Sequence, residues 1–118
     1  MSRNERTRAQ TKELYPALCQ FFGCYLHEDW PLDSGTPEKA VDQAIADYPL
    51  NYRQQVRREL NSFLERHEDD TRFRAILNEG LGVNVLFKKA AEARLFAQEV
   101  ERRLLDSIKA ETSGKWST

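Results

Sequence analysis

Glycine and proline are scarce in this chain, with five and four residues in 118. An all-β protein needs a turn about every ten residues, so this count argues against one. Cysteine is scarcer still, and Cys19 and Cys24 alone make no disulfide framework. No apolar run reaches the roughly 18 residues that span a bilayer. The opening Met1-Ser2-Arg3-Asn4-Glu5-Arg6 lacks the apolar stretch of a secretory signal, and a cytoplasmic domain is expected. Charge of one sign is missing too. Eighteen Lys and Arg stand against nineteen Asp and Glu, a net of −1, which excludes the overall positive field of a dedicated nucleic-acid binder. What remains is 40% hydrophobic and 31% charged, the profile of one globular domain able to bury a core without disulfides or a structural metal.

The apolar residues recur at helical spacing. Residues 1–12 are polar and read as an arm or a first polar helical turn, followed by a single domain over 13–111 and a loose tail over 112–118. Leu14, Leu18, Phe21, Phe22 and Tyr25 make a wide stripe on a first helix, with Pro16 in its first turn. Pro31 and Gly35 mark a loop. Thr36-Pro37-Glu38 then has the form of a helix start: N-cap, proline at the first position, and an acid at the positive dipole end. Val41, Ala44, Ile45 and Tyr48 line this second helix until Pro49. Asn51 is the expected cap of a third, with Tyr52, Val56, Leu60, Phe63 and Leu64 as its stripe. Asp70 is expected to cap a short fourth helix carrying Phe73, Ile76 and Leu77, stopped by Gly80 and Gly82 in the left-handed manner. A last helix from about Asn84 to Ala110 carries Leu86, Ala90, Ala93, Ala97, Val100, Leu104 and Ile108 on one face. With no strand-period alternation in competition, the reading is an all-α single-domain bundle of about five helices.

Few residues suggest chemistry. His27 and His67 stand beside carboxylates, but neighbours in sequence do not point the same way, and both read as polar residues at helix ends. Cys19 and Cys24 are about 140° apart on a helix and do not converge on a metal, so both are expected to be buried as small apolar residues. No phosphate-cradling loop, zinc helix or nucleophile elbow is present, and no enzyme and no cofactor is expected. Arg53, Arg57 and Arg58, with the basic arm, offer one alternative, a small helical DNA- or RNA-binding regulator. The charge distribution offers another. Glu28, Asp29, Asp33, Glu38, Asp42 and Asp47 stand against Lys39 alone over residues 28–47, a local net of −5. Glu38 and Asp42 share a helix face without local compensation. Either this is a solvated face, or it covers a basic groove on a partner with Trp30 as an aromatic anchor. Glu68, Asp69 and Asp70 form a second acidic candidate.

One stretch also carries a resemblance. Leu14-Tyr15-Pro16-Ala17-Leu18, then Phe21-Phe22-Gly23-Cys24-Tyr25-Leu26-His27-Glu28-Asp29-Trp30, then Gly35-Thr36-Pro37-Glu38-Lys39-Ala40-Val41 closely resembles the immunity proteins of bacterial contact-dependent growth inhibition systems, the CdiI-like family. The likeness weakens but persists to about Val83, and a Trp-Leu pair expected in the last helix is absent. The resemblance implies an all-α protein that binds and neutralises the C-terminal toxin domain of a large secreted protein, one to one, in the bacterial cytoplasm, with no direct nucleic-acid or membrane contact. It also implies that the toxin is a nuclease, RNase favoured, whose active or substrate-binding site is occluded. The toxin-binding candidates are then Glu28, Asp29, Trp30, Asp33, Glu38, Asp42 and Asp47, with Glu68, Asp69 and Asp70 as the second patch. The Phe-Phe-Gly and Asp-Trp residues read as core and helix-end architecture rather than as contacts, with Trp30 either a buried cap over the first helix or a contact.

Overall fold

The computed structural model describes residues 3–26, 36–66, 69–83, 85 and 87–112, with the backbone alone for residues 3–8. Six helices succeed one another with no strand among the described residues: α1 (Arg3–Leu14), α2 (Pro16–Tyr25), α3 (Pro37–Asp47), α4 (Leu50–Arg66), α5 (Asp70–Ala75) and α6 (Ala90–Thr112). A π turn, Ile76–Gly80, continues α5. The expected all-α bundle is thus the fold, with five longer helices and the short α5.

Proline and the caps explain the boundaries. Pro16 opens α2 directly after α1, and the polar segment read as an arm or a first turn is a full helix. Tyr48 turns extended (ψ 143°) before Pro49 and so ends α3. Thr36 caps α3 as expected, its Oγ1 accepting from the Lys39 N–H at 3.1 Å. Two expected caps move by a residue or two. Asn51 lies inside α4, where the Pro49 carbonyl accepts from the Tyr52 and Arg53 amides. Asp69, not Asp70, caps α5, accepting from the Thr71 N–H at 2.9 Å. The last helix begins at Ala90 rather than near Asn84.

The core is built on the stripes. Phe21, Phe22, Leu18, Leu60, Phe63, Phe73, Leu77 and Leu104 are fully buried, and Ala93, Ala97, Val100 and Ile108 line α6 as its spacing requires. Phe63 joins two groups, edge-on to Tyr15 at 5.6 Å and tilted on Phe73 at 4.7 Å. α6 runs along α4 and α5, α2 packs on α4, α3 bridges α2 and α6, and α1 lies on the π turn. That last contact is close. A Cβ on Gly80 would lie 2.4 Å from Thr11 Oγ1, so Gly80 serves close approach and is not the left-handed stop expected of it. Gly82, at φ +74°, is that stop.

Candidate functional site

Five of the ten candidate residues lie among the described ones, and the fold treats them differently. Asp42 on α3 is taken up by α6: both its carboxylate oxygens accept from Arg103 Nη1 at 2.7 Å. Arg103 in turn donates through Nε to Glu99 Oε1 at 3.0 Å, and Arg102 pairs with Glu99 and Asp106. Asp42 therefore has no local compensation, as its spacing suggested, but is compensated from a helix 61 positions further along. The ladder holds the Glu99 carboxyl at about 2, chiefly through its hydrogen bonds from Arg102 and Arg103. Asp70 is likewise committed, to Arg94 Nε at 2.6 Å, with the same guanidinium over the Phe73 ring. Asp69 is the α5 cap.

Glu38 and Asp47 are the other two. Both are exposed on α3, and neither meets a cation among the described residues. Asp47 is held by neutral donors: the Tyr25 hydroxyl donates to Oδ2 at 2.6 Å and Gln43 Nε2 to Oδ1 at 2.9 Å. These two bonds fix the orientation of its carboxylate. Glu28, Asp29, Trp30, Asp33 and Glu68, together with His27 and His67, fall outside the described residues.

Three tyrosines meet beside Asp47, a grouping that stripe-reading missed. Tyr25 closes α2, Tyr48 follows α3, and Tyr52 is in the first turn of α4. Tyr48 stacks on Tyr52 at 4.5 Å and meets Tyr25 edge-on at 5.8 Å. All three are half-buried. Tyr52 donates to the Ala17 carbonyl at 3.1 Å. The hydrogen bond to Asp47 pushes the Tyr25 phenol up to about 12, and burial pushes those of Tyr48 and Tyr52 up as well. The cluster thus stays neutral near pH 7. The signal was in the sequence as Tyr25, Tyr48 and Tyr52, but only the α2–α3–α4 corner brings them together.

The fold takes two of the three arginines of the basic alternative out of solvent. Arg53 and Arg57 are 7% and 8% exposed. Arg53 donates to the Tyr48 carbonyl (2.9 Å) and Ser107 Oγ (3.2 Å) and pairs with Glu111. Arg57 Nε meets Glu101 at 2.7 Å. Both guanidiniums fill the α4–α6 seam and cannot present themselves to phosphates; Arg58 alone of the three is exposed, donating to Gln55. Cys19 is half-buried, and burial pushes its thiol up to about 11. Cys24 is exposed, against the expectation that both cysteines are buried, because it falls on the outer arc of α2. Among the described residues no group of three or more His, Cys, Asp and Glu could hold a metal ion, and no helix is long and apolar enough to cross a membrane.

Compared with known families, the chain matches the model described as CdiI immunity protein over residues 14–104. The chain belongs to the CdiI immunity protein family. The match starts where α1 ends and reaches well into α6, further than the residue likeness that fades near Val83. It makes the chain an immunity protein of contact-dependent growth inhibition, with a cognate toxin protein as the partner that membership implies. No curated protein and no solved structure matches it. Within the matched span, Phe21 and Phe22 of the motif are core residues, as expected from their spacing.

Proposed function

We propose that this immunity protein binds the C-terminal toxin domain of its growth-inhibition system one to one in the cytoplasm, and silences it by covering its active or substrate-binding site. The toxin in this reading is a nuclease, with RNase favoured, and inhibition is stoichiometric rather than catalytic. One observation supports it above the rest. On α3, Glu38 and Asp47 are exposed carboxylates without a cation among the described residues, whereas Asp42 and Asp70 are each neutralised by an arginine. A nuclease groove is basic because it holds phosphates, and uncompensated acids complement it and accelerate encounter.

The test is direct. The purified chain is mixed at equal molarity with the toxin domain encoded beside it, and degradation of total RNA and of plasmid DNA is followed. Loss of activity near a 1:1 ratio, with a complex on gel filtration, is the expected result. The substrate degraded without the inhibitor identifies the toxin's chemistry. Persistent activity and no complex would overturn the proposal. Glu38→Lys is expected to slow association severalfold at low salt, and the difference should shrink at high salt if the effect is electrostatic steering.

A further inference from the structure

The tyrosine corner and the outer face of α2 have properties that the interior does not require. Gly23 sits in the last turn of α2 and is exposed, and a Cβ placed there meets nothing within 4 Å among the described residues. Its φ is not positive either, since among the described glycines only Gly82 has that conformation. Glycine inside a helix weakens it relative to alanine, and no packing or turn among the described residues compensates. Gln20 and Cys24 lie on the same outward arc, so this face of α2 is uncharged and low in relief. Cys24 adjoins Tyr48, which leads to Tyr52, Tyr25 and the oriented carboxylate of Asp47.

Tyrosine enrichment, few charges, and one fixed charge at the edge are the make-up of a binding hot spot rather than of a solvated surface. Tyr48 and Tyr52 stack on each other, and a phenol face left open at the edge of such a stack attracts a cation. Asp47 has a carboxylate lone pair to spare beyond its two neutral donors. A solvated acid would normally turn freely in water, but this one is held toward the aromatic cluster.

We propose that Gly23, Cys24, Tyr25, Tyr48, Tyr52 and Asp47 form the anchor of the toxin-docking surface, taking an arginine or lysine of a basic segment of the toxin. The segment's backbone lies over Gly23, where a side chain would hold it off. This rests on the proposed toxin-binding function and commits that function to one face. The occupant is a basic protein segment because, among the described residues, the one charged member of the face is a carboxylate that meets no cation.

The decisive variant is Gly23→Ala. The space is open, so it folds, and its Tm should rise while its Kd for the toxin domain rises at least fivefold by calorimetry. Stability and affinity moving in opposite directions is not the behaviour of a structural residue. Asp47→Asn retains the shape and one of the two acceptor oxygens but loses the charge, and should weaken binding at least tenfold, with a shallower salt dependence. Leu95→Ala, on the exposed side of α6, should leave Kd unchanged. If the wild-type chain neutralises the toxin but Gly23→Ala and Asp47→Asn bind as it does, this face is not the anchor, although the proposed function stands. If the wild-type chain forms no complex, both proposals fall. If Asp47→Asn leaves toxin binding intact but converts a dimer of the free chain to monomer, the face belongs to a second copy and the proposal is overturned.

Discussion

At the residue scale, the positions that matter most are those whose partners lie far along the chain. Glu59 is 7% exposed, and its Oε1 accepts the Leu18 N–H at 2.9 Å while Oε2 accepts from Gln55. Leu18 is the third residue of α2, where an amide has no partner within its own helix. Pro16 and Tyr15 supply no side-chain cap, so α4 provides one. Glu59→Ala leaves the Leu18 amide buried and unpaired and should cost about 1–3 kcal/mol in urea unfolding. Glu59→Gln, which keeps an acceptor oxygen, should lose clearly less. Nothing in a lone glutamate among polar neighbours announces this role; it exists only once α2 and α4 are crossed. Gly80→Ala is a second case. Its Cβ would press on Thr11 Oγ1 at 2.4 Å and on Ile76 Cγ2 at 3.2 Å, and overpacking of this kind costs about 1–3 kcal/mol. Thr11→Ala combined with Gly80→Ala should be less damaging than the two singles added together, a coupling that a double-mutant cycle reads directly.

At the element scale, helices with a buried stripe were readable and helix edges less so. Val41 and Ala44 of α3, Val56, Leu60 and Phe63 of α4, and Ala93 through Ile108 of α6 are buried where their spacing puts them. The shifts came from competition between neighbours. Asp69 and Asp70 are both good caps, and the choice fell to Asp69 because Asp70 is drawn to Arg94. α1 has no apolar stripe to read, so its helicity was invisible until the π turn supplied a surface for it. The α3 start was fully local, and Thr36→Ala should cost about 1 kcal/mol. The α6 ladder predicts a pH dependence. Glu99 is held at about 2 against an ordinary value of 4.5, so its contribution is complete above 4.5 and disappears as pH falls from there through about 2. Wild type and Glu99→Gln should therefore differ in Tm above pH 4.5, and their curves should converge toward pH 2. The same slope in both would remove the ladder from the stability of α6.

At the scale of the whole molecule, the candidate site was half legible. A local excess of carboxylates over residues 28–47 can be counted along the chain. Which acids remain unpaired toward solvent depends on arginines that arrive from α6, Arg103 at Asp42 within that stretch and Arg94 at Asp70 in the second patch. The same long-range pairing removed Arg53 and Arg57 from any basic surface by burying them in the α4–α6 seam. That seam extends past the family match at residue 104: Ile108 is fully buried, and Ser107 and Glu111 are the partners of Arg53. A chain ended after Asp106 should consequently be much less stable. It loses a buried isoleucine, worth about 1.5–3 kcal/mol. It also leaves the Arg53 guanidinium in the seam with only the Tyr48 carbonyl from its described contacts, adding about 1–2 kcal/mol once the half-exposed Glu111 is discounted for solvent screening. The sum, about 2.5–5 kcal/mol, corresponds to a fall in Tm on the order of 10 °C or more at this chain length. Glu111→Ala alone should cost about 1 kcal/mol or less, since that carboxylate keeps access to water. Arg53→Met placed in the shortened chain should restore part of the loss, because an apolar side chain of similar reach needs no partner in the seam. Recovery of Tm by that second substitution would show that the stranded charge, and not only the lost isoleucine, weakens the shortened protein; no recovery would assign the whole loss to the missing apolar contact.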